Sequence, residues 1–106
     1  MNGQIKDDLL KALDDLKALN PKAYDVSKIV SYADWVLVVS GTSTTHIAAL
    51  IKKAEETMAT LGYKPIGIEG DKGGNGWVLI DFGDLVLHVM SEEKRDFYQL
   101  EKLFLV

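Results

Sequence analysis

The chain has 106 residues, 47% of them hydrophobic and 26% charged, with a formal net charge of −4 and no cysteine. That length suits one domain with a single core, near the size at which self-association aids stability. The acidic balance excludes a nucleic-acid module held by phosphate contacts, and the missing cysteine excludes disulfides, thiolate metal sites and a cysteine nucleophile.

In chain order, Ile5, Leu9, Leu13, Leu16 and Leu19 recur at helical spacing and predict a first helix. Asn20-Pro21 should end it, because proline disfavours helical geometry in the residue before it. Ala23 to Ser27 reads as a short strand and Ser31-Tyr32-Ala33 as a connector. Trp35-Val36-Leu37-Val38-Val39 is apolar on both faces, the mark of a central strand, and Trp35 is expected in the core. Gly41-Thr42-Ser43-Thr44 then supplies hydroxyl caps for a second helix, whose stripe of Ile47, Leu50, Ile51, Ala54, Met58 and Leu61 stops at a left-handed Gly62. Pro65 to Glu69 is another short strand, and the segment Gly70 to Gly76 a mobile glycine-rich loop.

Two apolar runs follow, Trp77 to Phe82 and Leu85 to Met90, joined by Gly83-Asp84, a pair suited to a two-residue hairpin loop. That loop sets Phe82 opposite Leu85, Asp81 opposite Val86, Leu79 opposite His88 and Trp77 opposite Met90. Alternation then divides the hairpin into two faces. Val78, Ile80, Phe82, Leu85, Leu87 and Val89 form a wholly apolar face that reads as core. Trp77, Leu79, Asp81, Val86, His88 and Met90 form a mixed face, the composition of a surface that docks a partner. Ser91-Glu92-Glu93 begins a last helix, with acids in its first turn to complement the helix dipole, running on to Phe97, Tyr98, Leu100, Leu103 and Phe104. The order predicts one α/β domain spanning 1–106, a mixed sheet of about five strands flanked by helices.

Several groups invite chemical readings. The Ser40 to Thr45 turn before a helix resembles a phosphate cradle, but it lacks the lysine and glycine spacing of a Walker loop and reads as capping. His46 and His88 with Asp81 and Asp84 do not assemble a metal site, since Asp81 and His88 are not directly opposed and a third ligand is missing. Glu69 and Asp81 each end a strand, and paired carboxylates after such a turn hold magnesium in nucleotidyltransferases. Here the acids come singly, on separate strands, so an enzyme with a residual nucleotide or phosphate site is the alternative reading only. Trp77, on the mixed face after a flexible loop, reads as a docking anchor.

Taken together, these segments resemble the ribosomal silencing factor family, also called the Iojap family. The carriers are Tyr32-Ala33-Asp34-Trp35, Ser40-Gly41-Thr42-Ser43 with His46, Gly67-Ile68-Glu69-Gly70, Gly76 to Asp84 running into His88-Val89-Met90, and Arg95 to Leu103. The resemblance implies a nucleotidyltransferase-like fold without catalytic apparatus. It implies binding to the large ribosomal subunit through its fourteenth ribosomal protein, steric exclusion of the small subunit, repression of translation when nutrients are scarce, and a homodimer when free. Its matched segment lines up with the mixed hairpin face derived from pairing, which puts Trp77, Leu79, Asp81, His88, Met90 and Tyr98 at the expected partner surface, with no catalytic residue, metal, cofactor, small-molecule substrate, DNA or membrane involved. Phe104 stands where the family would carry a tryptophan, and the loop at 70–76 is richer in glycine than the family pattern. No basic-then-apolar leader opens the sequence and no apolar run approaches the roughly 18 residues of a membrane span, so the expected setting is the bacterial cytoplasm.

Overall fold

The computed structural model describes residues 2–70 and 74–105, and the centre of the glycine-rich loop, residues 71–73, lies outside the described residues. Asn2 caps the first helix, α1 (Gly3–Asp15), by accepting a bond from the Gln4 amide, and Leu9 and Leu13 turn fully inward. The helix stops four residues before the predicted end. Leu19 already belongs to β1 (Leu19–Asp25), so Pro21 lies inside a strand rather than terminating a helix. An edge strand tolerates proline at an irregularity, and the register slips between Leu19 and Lys22 while Asn20 takes φ 47.

β2 (Trp35–Gly41) is buried along its length after a half-buried Trp35, as a central strand must be. Lys6 lies over that indole, 4.6 Å from its centroid. α2 (Thr44–Thr60) buries Ile47, Leu50, Ile51, Ala54 and Met58 of the predicted stripe, while Leu61 falls at the C-cap and is half-buried. Its cap is Ser43, whose hydroxyl accepts from the His46 amide at 3.0 Å. His46 then ties the two helices together. Its Nδ1 accepts from the Thr42 amide at 2.9 Å, which leaves Nε2 to donate to the Leu16 carbonyl at 2.7 Å. One imidazole thus satisfies an orphan carbonyl at the end of α1 from the start of α2.

β3 (Gly67–Glu69) is shorter than the expected strand, and the preceding Ile66 amide donates to the Asp81 carbonyl at 2.7 Å. β4 (Trp77–Asp81) and β5 (Leu85–Ser91) pair in the register expected from the sequence, with Trp77 opposite Met90, Leu79 opposite His88 and Asp81 opposite Val86. Gly83 holds φ +98 in the turn, where an L side chain would be strained. The predicted last helix is in fact two pieces. α3 (Glu92–Tyr98) ends at Gln99, which adopts a left-handed conformation, and a 3-10 segment (Leu100–Phe104) follows.

The sheet runs β1-β2-β5-β4-β3, with β2 and β5 parallel and the other neighbours antiparallel. α1 and α2 cover one face. Beneath them lie Leu37 and Val39 together with Val78, Ile80, Phe82, Leu85, Leu87 and Val89, the whole apolar hairpin set. Because the Ser43 hydroxyl is the cap, Ser43→Ala should lower stability by about 1 kcal/mol in a denaturant titration, and Thr44→Ala, one position inside the helix, by clearly less.

Candidate protein-docking interface

The other face of the sheet is ordered by the strand register. Glu69, Leu79, His88, Val38 and Lys22 make one row across the five strands, and Gly67, Asp81, Val86, Val36 and Tyr24 the next. Over the β2–β5 end of these rows the chain lays a second apolar cluster: Val26 and Ala33 from the β1–β2 connection, Phe104 from the 3-10 segment, and Val36, Val38, Val86 and Met90 from the sheet. The β4–β3 end is left more open. There Trp77 and Leu79 are half-buried, and with Glu69, Gly70 and Asn75 they line a shallow cleft of about 280 Å³.

Trp77 is held from two sides. Its Nε1–H donates to Nδ1 of His88 at 3.1 Å, a diagonal contact across the β4–β5 ladder. Its ring packs on Tyr98 of α3 with centroids 5.1 Å apart. Tyr98 meets Phe97 edge-on at 4.9 Å, and Phe97 is 76% exposed. A line of rings therefore runs from a buried imidazole out to solvent.

The six residues expected at a partner surface separate accordingly. Trp77, Leu79 and Tyr98 are gathered at the open end, with Tyr98 51% exposed. Met90 has no exposed surface and His88 only 6%, so neither forms the outer surface of the folded chain. This corrects the reading of both as direct contacts. Pairing assigns a residue to a face, whereas its exposure depends on what covers that face: Phe104 and the β1–β2 connection cover Met90, and the Trp77 side chain lies against His88. Asp81 is half-buried, and its carboxylate accepts from the Gly83 amide at 2.8 Å, closing the hairpin turn.

The sequence reading missed a polar cluster beside this face. Arg95 pairs with Glu101 through Nε and Nη2, and its Nη1 donates to Ser40 Oγ at 3.2 Å and to the Leu19 carbonyl at 3.4 Å. Tyr24 donates its hydroxyl proton to the same Glu101 carboxylate. The bond from Arg95 holds the Glu101 carboxyl below its usual range, while burial and the Glu101 bond push the Tyr24 hydroxyl up to about 12, so one donates and the other accepts at neutral pH. This network pins the 3-10 segment to β1 and β2 and borders a cleft of about 540 Å³. Its only sequence signal is an arginine and a glutamate six residues apart, a spacing that does not face them on one helix.

The fold and face define a class: a small α/β domain with one sheet face roofed by two helices and the other half-roofed, open at an anchored tryptophan. The family described as "Ribosomal silencing factor during starvation" matches residues 3–105, and the chain belongs to that family. It is 35% identical over 95 residues to ribosomal silencing factor RsfS of Chromobacterium violaceum, covering 90% of this chain and 77% of that one. A crystal structure of a protein from the same organism superposes with a TM-score of 0.90 at 34% identity, covering 98% of this chain and 87% of the other. A mouse protein named mitochondrial assembly of ribosomal large subunit protein 1 is 37% identical over 76 residues, covering 69% of this chain and 33% of its own length.

Burial pushes the His88 pKa down from 6.5 to about 4. Between those values the unfolded chain binds a proton at this site that the fold refuses, so stability falls as pH drops through that window and levels off below it. The site's share is about 3 kcal/mol, from roughly 1.4 kcal/mol per pKa unit. Denaturation of the parent and of His88→Asn at a series of pH values should show this extra acid loss in the parent alone.

Proposed function

We propose that the chain is a binding protein rather than an enzyme, and that it silences ribosomes by steric exclusion. It docks through Trp77, Leu79 and Tyr98 on the large subunit's fourteenth ribosomal protein, at the face where subunits join, and so keeps the small subunit away. This would repress translation when nutrients are scarce, in the bacterial cytoplasm. The observation that carries the reading is the half-buried Trp77 at the open end of the second sheet face, in a chain of the ribosomal silencing factor family. Tryptophan is the residue most enriched among binding hot spots. The net charge of −4 suits a basic ribosomal partner and would chiefly hasten encounter. The name of the mouse relative supports the large subunit as the site of action. The carboxylates that an enzymatic reading would need are otherwise employed or apart: Asp81 closes a turn, and Glu69 lies opposite Leu79 on the neighbouring strand.

Added to separated subunits, the chain should raise the free-subunit peaks in a sucrose gradient and reduce joined ribosomes. An unchanged profile at saturating protein would overturn the reading. Trp77→Ala should still fold, with a lower melting temperature, and bind large subunits at least about tenfold more weakly, or 1.4 kcal/mol. Ile80→Lys on the roofed face should not fold at all, because it buries an unpaired charge. Free of ribosomes, the chain is proposed to form a homodimer, which would cover exposed apolar side chains such as Phe97, Leu103 and Leu105. Sedimentation at micromolar concentration should then give a mass near twice 11.7 kDa.

A further inference from the structure

We propose that His88 is a positioning residue: from inside the fold, its Nδ1 sets the orientation in which the Trp77 indole is offered to a partner. The functional half of this rests on the docking reading above. The positioning half stands on geometry alone.

An indole nitrogen can only donate, and the atom placed 3.1 Å from it is one ring nitrogen of a buried histidine. His88 itself is fixed, because its strand is central and its neighbours on the same face are Leu79 on β4 and Val38 on β2. Trp77, by contrast, stands on β4 beside the glycine-rich loop and is only half-buried. Two torsions orient its side chain. The hydrogen bond fixes the Nε1 edge, and the Tyr98 ring 5.1 Å away limits the swing of the plane. Nδ1 can accept only in the neutral imidazole with its proton on Nε2: burial keeps His88 neutral, and the indole N–H, which can only donate, selects that tautomer. A residue needed only to fill space at position 88 could be leucine; the acceptor is what singles out this imidazole.

The test uses the full chain labelled with 15N in tryptophan, with the Trp77 indole signal identified by its loss in Trp77→Phe. Two variants are compared with the parent. His88→Leu keeps the volume and removes the acceptor, and His88→Asn returns an oxygen near the place of Nδ1. Both are first checked for a cooperative melting transition. The Trp77 indole proton should exchange with water at least about tenfold faster in His88→Leu than in the parent, and return most of the way in His88→Asn. Large-subunit affinity should fall about tenfold in His88→Leu and recover in His88→Asn. In a Trp77→Ala background, His88→Leu should cost no further affinity, since its effect passes through the indole. An indole signal identical in all three chains would overturn the positioning role. An equal loss of affinity with and without Trp77 would show that His88 acts by another route. If the parent itself fails to bind large subunits, the docking reading falls, and the indole signal still decides the positioning.

Discussion

In β2 and β5 nearly every side chain is buried on both sides of the sheet, and a parallel pair of this kind exists only between two layers of cover. Parallel neighbours cannot be joined by a tight turn, so the chain must leave β2 and return. It does so through α2, then β3 and β4, and the antiparallel β4–β5 turn delivers β5 alongside β2. That excursion supplies half of the first roof; α1 supplies the rest, and His46 locks the two helices end to end. Each leucine, isoleucine or valine so covered contributes about 1.5–3 kcal/mol, so a sheet with either face bare would lose a large part of its stability.

The second cover is of a different kind. It consists of a seven-residue helix, a five-residue 3-10 segment and the β1–β2 connection, none long enough to span five strands. Short helices have little stability of their own. These are held by specific devices instead: the Ser91 hydroxyl capping α3, the left-handed Gln99 that redirects the chain, and the Arg95–Glu101 pair with Tyr24 and Ser40. The cover therefore sits over the β2–β5 end of the face and leaves the β4–β3 end to Trp77, Leu79 and Glu69. The asymmetry between a thick roof and a partial one leaves a single face of the sheet open at one end.

What was legible in the sequence was local. The hairpin register follows from a two-residue turn and alternation, and the α2 stripe from helical spacing; both stand in the structure as read. The end of α1 was not legible, because Leu16 and Leu19 continue the helical spacing while the chain has already turned through Lys17 at φ 61. The roles of His88 and Met90 were hidden for a different reason. Their face follows from the hairpin, but Met90 is covered by Val26 and Phe104, distant in sequence and joined only by the fold, and the buried His88 meets the Trp77 indole on a diagonal of the ladder. The Tyr24–Glu101 bond spans 77 positions, and nothing in the local pattern of either residue announces it.

The hydrogen bond at Trp77 bears on the kind of surface that can cover it. A fully exposed tryptophan would lose rotamer freedom on binding, about 0.5–1.5 kcal/mol for an immobilised side chain, and its N–H would need a new acceptor once water left. Without one, the stranded donor would cost roughly 1–3 kcal/mol. In this chain the indole is already packed against Tyr98, and its N–H already has His88. Covering the exposed part of the ring then removes apolar surface from water without stripping a polar group of its partner. A docking surface opposite Trp77 can accordingly be apolar and need supply no acceptor there. Charge recognition can be left to the rim, where Glu69 stands at the edge of the cleft.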